Sequence, residues 1–135
     1  MKQFLSIMAA ALMLFSFSFS ADAQKQKEQK EVLPAAIVSD VMQDGLRVVN
    51  YRPDDIVCSV NIEIKLRGDV IEEVQYTKGC PGNQKGIAAL VKGMKMDEAI
   101  EKLQGITCGR RPTSCPDQLA NALIAIKKAK PSKKK

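Results

Sequence analysis

Apolar and polar residues alternate along IVCSVNIEIKL, which covers residues 56–66. One side of this segment carries only apolar residues and cysteine, namely Ile56, Cys58, Val60, Ile62, Ile64 and Leu66. A period of two residues is typical of a half-buried β-strand, so we predict a strand here with Cys58 inside it. The preceding segment LRVVNY, residues 46–51, is rich in β-branched residues and predicts another strand.

A third strand pattern, over residues 70–77, follows the two turn residues Gly68 and Asp69. Such a short connection is typical of a β-hairpin, and the alternation places Val74 and Tyr76 on the inward side. The three segments together predict an antiparallel three-stranded meander.

Beyond residue 80 the apolar residues recur every three or four positions, which is the spacing of one face of an α-helix. A first helix is predicted with Asn83 as its N-cap, and a second over MDEAIEKLQ that ends before Gly105. A third begins at Ser114 or Thr113. Its buried side holds Leu119, Leu123 and Ile126. Strands first and helices afterwards predict an α+β fold, with two to three helices packed on one face of the meander.

The first 23 residues have the pattern of a secretory signal peptide, because Lys2 precedes an apolar run over residues 4–19 and a small-x-small site ends at Ala23. We therefore expect an exported protein, periplasmic or secreted. The alternative is a membrane anchor, but the run is shorter than the roughly 20 apolar residues that a membrane-spanning helix needs. We do not expect a transmembrane protein. Residues 24–45 are predicted to be a polar spacer followed by a short helix that Gly45 closes.

The net charge of +6 comes from the C-terminal end of the chain. Six lysines lie in residues 127–135, which are predicted to be a disordered tail after a domain that spans residues 46–126. Once residues 1–23 and those six lysines are set aside, the 21 basic and 15 acidic residues of the chain fall to 14 of each. The balanced body gives no reason to expect specific nucleic-acid binding, whereas the tail can touch an anionic surface.

Four cysteines are the candidate functional residues: Cys58, Cys80, Cys108 and Cys115. Three of them lie at predicted element ends, where side chains from several elements can meet. Four thiolates suit zinc or an iron–sulfur cluster, and the chain has no histidine, so we interpret the four cysteines as metal ligands. Their spacing is not that of a zinc ribbon. Two alternatives stay open: disulfides, which export favours, and a buried apolar role for Cys58.

No catalytic residue is predicted. Without histidine the chain has no Cys-His or Ser-His pair, which argues against a hydrolase. Arg110 and Arg111 lie between two of the cysteines. They bind an anion, lower the pKa values of nearby thiols, or are solvated loop surface.

Four segments resemble the TSCPD-domain family, from about Tyr51 to Leu123: NYRPDDIVCS, KGCPGNQKGIAALVKGM, DEAIEKLQGITCG and RPTSCPDQLANAL. That family is similar to a C-terminal domain of adenosylcobalamin-dependent ribonucleoside-diphosphate reductases. The resemblance implies a link to nucleotide binding and DNA-precursor synthesis, with ribonucleotide-reducing machinery as a partner. A mature chain of 112 residues cannot hold a radical barrel and a nucleotide site, so the implied role is an accessory one.

A second resemblance, to the U-type iron–sulfur scaffolds, covers GDVIEEVQYTKGCPGNQKGIAALVKGMKMDEA and SCPDQLANALIAI. It implies the same order of sheet and helices, with Cys80 and Cys115 as cluster ligands and Cys58 as an approximate third. The chain departs from the scaffold pattern at Cys108, at Pro81 and in lacking a histidine beside the last cysteine.

These observations give three hypotheses for function. The first is an exported, non-catalytic domain that binds zinc, or else an iron–sulfur cluster, through the four cysteines and serves an unknown protein partner. The second is an accessory of ribonucleotide-reducing machinery. The third is a disulfide-stapled envelope protein without catalysis.

Overall fold

An antiparallel sheet in the order β1-β2-β3-β4 and three helices make up residues 35–132, the part of the chain that our computed structural model describes. The strands are β1 Ala36–Gln43, β2 Leu46–Arg52, β3 Asn61–Arg67 and β4 Val70–Thr77. The helices are α1 Pro81–Val91, α2 Met96–Leu103 and α3 Cys115–Lys128. The predicted signal peptide, the polar part of the spacer and the last three lysines lie outside the described residues.

The predicted α+β class and its antiparallel sheet are confirmed, but the sheet has four strands rather than three. The short helix predicted before Gly45 is wrong, because that segment is β1 and pairs with β2 from Ala36↔Arg52 to Gln43↔Leu46. Asp44 and Gly45 form the connecting turn, with φ angles of +50° and +78°. An Asp-Gly pair with two positive φ angles is the signature of a tight hairpin turn, and it resembles a helix end in sequence.

The strand predicted over residues 56–66 begins only at Asn61. Asp54 bends the chain before it, since its carboxylate accepts from Ile56 N at 3.1 Å and its carbonyl accepts from Val57 N at 3.2 Å. A side chain that bonds the backbone two residues on competes with strand pairing. Cys58 therefore lies in an exposed loop, so both the in-strand position and the buried apolar role are wrong for it.

One face of the sheet packs against the helices and forms the core. Ile62, Ile64 and Leu66 of β3 are fully buried, and so are the three predicted core residues of α3, Leu119, Leu123 and Ile126. Each such side chain contributes roughly 1.5–3 kcal/mol relative to an exposed position. The inward placement of Val74 is confirmed, with Tyr76 half-buried against the same core. The alternation read from the sequence is thus correct within the strands themselves.

The helix ends follow the sequence in two of three cases. Ser114 caps α3 by accepting from Asp117 N at 3.3 Å, and α2 ends just before Gly105, which has a φ of +81°. Asn83 is not the cap of α1, because the helix begins earlier with Cys80 in the N-cap position and no side-chain cap bond. Pro81 in the first turn accounts for the earlier start, since its fixed φ suits that position.

The C-terminal end of α3 is closed by Arg47 of β2. Its Nη2 donates to the carbonyl oxygens of Ile126 at 3.0 Å and Ala129 at 2.9 Å. The same guanidinium binds the Asp40 carboxylate of β1 at 2.6 and 2.8 Å. Helix α3 runs two residues past the boundary predicted at residue 126, and Ser132 N then donates to Asp40 O at 3.0 Å.

Candidate functional site

Two loops at one end of the sheet, and the loop between α2 and α3, carry three of the four cysteines. The pairs Tyr51↔Ile62 and Asn61↔Thr77 place the end of β2, the start of β3 and the end of β4 side by side. Loop 53–60 and turn 78–80 start here, and loop 104–114 leads into the first turn of α3. We call this region, with Cys115 at the start of α3, the thiol end.

All four cysteines are free thiols, and each belongs to the thiol end. Cys58, Cys80 and Cys108 are exposed, whereas Cys115 is half-buried. The Cys115 sulfur accepts a hydrogen bond from Ser59 Oγ at 3.4 Å, so loop 53–60 touches the start of α3. The predicted ligand residues are therefore in one region of the fold.

Arg111 lies beside the cysteines of two loops. Its Nη1 donates to Cys58 Sγ at 3.2 Å, and its backbone N donates to Cys108 O at 3.0 Å. The hydrogen bond that Arg111 donates to Cys58 is the main cause that raises the pKa of the Arg111 guanidinium, and the charges of Cys58, Cys108 and Cys115 add to it. Arg111 therefore contacts one thiol directly and feels the charge of two others.

Cys80 is joined to the others through the turn before it. Lys78 and Gly79 have φ angles of +59° and +106°, and the Lys78 carbonyl accepts from Gln84 Nε2 at 2.5 Å. A Cβ on Gly79 would collide with Gln84 Nε2 and would lie 3.4 Å from the carbonyl carbon of Cys58. Turn 78–80 thus lies against loop 53–60, and only glycine fits at that contact.

The motif TSCPDQ, residues 113–118, builds a buried hydrogen-bond network around Cys115. The Asp117 carboxylate accepts from Thr113 Oγ1 at 2.5 Å and from Gly105 N at 2.6 Å. Gln118 Nε2 donates to Thr113 Oγ1 at 2.9 Å, and its Oε1 accepts from Asp54 N at 3.0 Å. The network ties loops 53–60 and 104–114 to the first turn of α3.

Asp117 and Gln118 were missed as site residues by the sequence analysis. Both are buried, with 8% and 4% of their surfaces exposed, and buried polar side chains in proteins are normally hydrogen-bonded. The signal that could have found them is their place on the inner side of α3, directly before the core residue Leu119. In sequence, an aspartate in a first helical turn is more simply explained by the helix dipole.

Tyr76 supports Cys115 from β4. Its hydroxyl donates to the Cys115 carbonyl oxygen at 3.4 Å. Burial raises the pKa of Tyr76 far above its usual range, and the nearby Cys115 adds to this effect. Tyr76 is therefore a protonated donor across the physiological pH range.

The thiols are gathered at one end but are not arranged as a finished metal site. Within residues 35–132, no three Cys, Asp or Glu side chains form a group that could hold a metal ion as they stand. Zinc–sulfur bonds are about 2.3 Å long, so ligation would require the exposed thiols to move together. The sequence-derived ligand set is thus brought into one neighbourhood, and its coordination stays a prediction.

Fold and site together define a small α+β domain that presents free cysteines at one end of an antiparallel sheet. The TSCPD domain matches residues 35–127, so the chain belongs to the TSCPD-domain family, as its motifs predicted. Comparisons with curated proteins and with solved structures find no match. The resemblance to U-type iron–sulfur scaffolds is not confirmed. No helix in residues 35–132 combines the length and the apolar character needed to cross a membrane.

Proposed function

We propose that the thiol end binds one thiophilic metal ion, zinc rather than an iron–sulfur cluster, through Cys58, Cys80, Cys108 and Cys115. The observation that carries this proposal is the position of Arg111, whose guanidinium contacts Cys58 Sγ at 3.2 Å and lies within the field of two further thiols. A cation that contacts one thiol and feels the charge of two others would compensate part of the negative charge of thiolate ligands. The domain would act as a non-catalytic accessory module.

The donor chemistry fits a soft metal. Four thiolates around zinc carry a net charge of −2, and Arg111 would offset part of it. The chain has no histidine, so the donor set is all sulfur, the type found in closed structural zinc sites. A closed four-coordinate site has no position for water or substrate, which is consistent with the absence of a predicted catalytic residue.

Each proposed ligand comes from a different part of the fold. Cys58 lies in loop 53–60, Cys80 occupies the N-cap position of α1, Cys108 lies in loop 104–114 and Cys115 is the first residue of α3. A metal ion held by all four would cross-link segments that are far apart in the sequence. In a domain of this size, metal binding contributes folding energy directly.

The test uses the full chain, reduced and mixed with zinc in competition with a chromophoric chelator, with metal content measured by mass spectrometry. We expect one zinc per chain. Each single Cys→Ser variant should lose more affinity than the roughly 10- to 100-fold typical of removing an outer-shell partner. Full thiol titration without bound zinc would overturn the proposal, and a Cys→Ser variant with unchanged affinity would remove that residue from the ligand set.

Disulfide formation is the second candidate, favoured by the exposure of Cys58, Cys80 and Cys108 and by the predicted signal peptide. Protein isolated from its own host without reductant would then contain no metal and no titratable thiols. Export itself, a partner in ribonucleotide-reducing machinery and contact of the lysine tail with anionic surfaces remain proposals from sequence alone. Fractionation of the host cell would test the first of these.

A further inference from the structure

A groove runs between β4 and α1, beside the thiol end. Its cavity has a volume of about 380 Å³. Strand β4 lines one wall with Val74, Gln75 and Tyr76, and helix α1 lines the other with Gln84, Lys85 and Ala88. The groove is extended, because one wall follows three consecutive strand residues and the other follows about one turn of the helix.

The strand wall of this groove is an open sheet edge. Strand β4 is the last strand in the sheet order, so only one of its edges pairs with another strand. The linker after α1 covers the beginning of the outer edge, where Ile71 N donates to Met94 O at 2.9 Å and Gly93 N donates to Ile71 O at 2.7 Å. Among the described residues, this backbone pairing does not continue past Ile71.

The backbone groups that face the groove can be inferred from the pairing with β3. Thr77 O accepts from Val60 N at 2.9 Å, so the Thr77 carbonyl turns towards the β3 side. Backbone groups of successive strand residues point to alternate edges. The register of β4 against β3 shifts by one residue between Ile71 and Glu73, so the backbone groups of Val74 and Tyr76 point to the same open edge as those of Ile71, where an added strand would meet them.

The charge of the groove is positive. Lys78 and Lys85 line it, no carboxylate lines it, and neither lysine forms an ion pair with any described residue. The nearest acidic residues of β4, Glu72 and Glu73, are engaged by Arg67 and Lys65 instead. An occupant with carboxylates would thus meet two unpaired ammonium groups.

We propose that this groove binds an extended acidic peptide that adds to β4 as a further strand. The peptide backbone would pair with the outer groups of Val74 and Tyr76, as in other cases of strand addition to a free sheet edge. Its carboxylates would lie near Lys78 and Lys85, and its apolar side chains near Ala88. The proposal is independent of whether the cysteines bind a metal.

The test uses a fluorescent hexapeptide of alternating glutamate and valine, with a matched peptide in which lysine replaces glutamate. The full chain, labelled with nitrogen-15, is titrated with each peptide, and amide shifts are followed by NMR. We expect shifts concentrated in residues 74–78 and 84–88 for the acidic peptide alone. Methylation of alternate peptide nitrogens should abolish them, because it blocks strand pairing.

Charge reversal in the groove separates the proposal from non-specific attraction. Lys85→Glu should weaken binding of the acidic peptide by about fivefold, the upper end of the range for an exposed charge pair. The matched control is Lys130→Glu, the same charge change away from the groove, which should leave affinity unchanged. The NMR spectrum reports in each case that the variant is folded.

Four outcomes would overturn the proposal: no shifts at millimolar peptide, equal binding of the lysine peptide, equal loss in Lys85→Glu and Lys130→Glu, or retained binding after backbone methylation. A concentration-dependent doubling of the mass in sedimentation, with shifts along β4 and no peptide present, would assign the edge to a second copy of the chain instead.

Discussion

Two arginines at opposite ends of the sheet differ in burial and in the groups that they contact. Arg47 is largely buried, with 15% of its side chain exposed, and it binds Asp40 and the last carbonyls of α3. Arg111 is exposed, and its side chain contacts a thiol. The first arginine joins β1, β2 and the end of α3, and the second lies at the surface beside exposed cysteines. The comparison teaches that one end of α3 is closed by a buried arginine, whereas the other end exposes its arginine and three of the thiols.

The largest effect should come from breaking the Arg47 end. Arg47→Met leaves the Asp40 carboxylate and two helix carbonyls without their donor, and we expect a loss of about 3–5 kcal/mol in the free energy of unfolding. Urea denaturation followed by circular dichroism measures it. The control is Arg67→Met, whose partner Glu72 is exposed, so the loss should be below about 1 kcal/mol. Equal losses would show that Arg47 does not fix the fold.

The turn before Cys80 should come next. Gly79→Ala places a Cβ on a backbone whose φ is +106° and pushes it against Gln84. We expect the free energy of unfolding to fall by about 2–3 kcal/mol. Gly86→Ala is the matched control, since that position lies within α1 with open space around its Cβ. Gly86→Ala should raise the free energy of unfolding by up to about 1 kcal/mol. A neutral Gly79→Ala would mean that turn 78–80 is loosely held.

The buried network should give a somewhat smaller loss. Asp117→Asn keeps the shape of the side chain but weakens the acceptors for Gly105 N and Thr113 Oγ1. We expect the free energy of unfolding to fall by about 1–3 kcal/mol. Asp55 is exposed, so Asp55→Asn should change the free energy of unfolding by less than about 0.5 kcal/mol. Both are measured by urea denaturation under reducing conditions. If the two variants lose equal stability, the network does not anchor the thiol end.

The smallest effect on stability should come from Arg111 itself. Arg111→Ala should change the free energy of unfolding by less than about 0.5 kcal/mol, because the side chain is exposed. Its zinc affinity should fall by about tenfold, as expected for a partner of the ligands. Arg110→Ala, one residue away, should alter neither quantity. Reversed results, a large loss of stability with unchanged affinity, would make Arg111 a structural residue like Arg47.

Much of the fold follows from the sequence because burial imposes its period on the chain. The residues Ile62, Ile64 and Leu66 alternate as a half-buried strand must, and Leu119, Leu123 and Ile126 share one helix face. The errors lie where one local pattern serves two structures. Asp44-Gly45 ends a helix or turns a hairpin equally well, and only the pairing of β1 with β2 decides between them.

The site was predictable in its residues but not in its surroundings. The four cysteines were identifiable because they are few and lie near element ends, whereas the Asp54 turn that exposes Cys58 depends on a side chain bonding its own backbone. The hydrogen bond between Asp117 and Gly105 joins the start of α3 to the loop before it. One sequence alone does not reveal which residues of separate elements lie close together. Tertiary hydrogen bonds of this kind are set by the packed fold.

The network around Thr113, Asp117 and Gln118 has a consequence for local motion. It holds the amide of Gly105 through Asp117 and the amide of Asp54 through Gln118. Loops tied to one buried cluster open as one cooperative unit. In hydrogen exchange, these two amides, far apart in sequence, should therefore give the same free energy of opening once their rates are corrected for intrinsic exchange, so that the thiol end opens and closes as one unit.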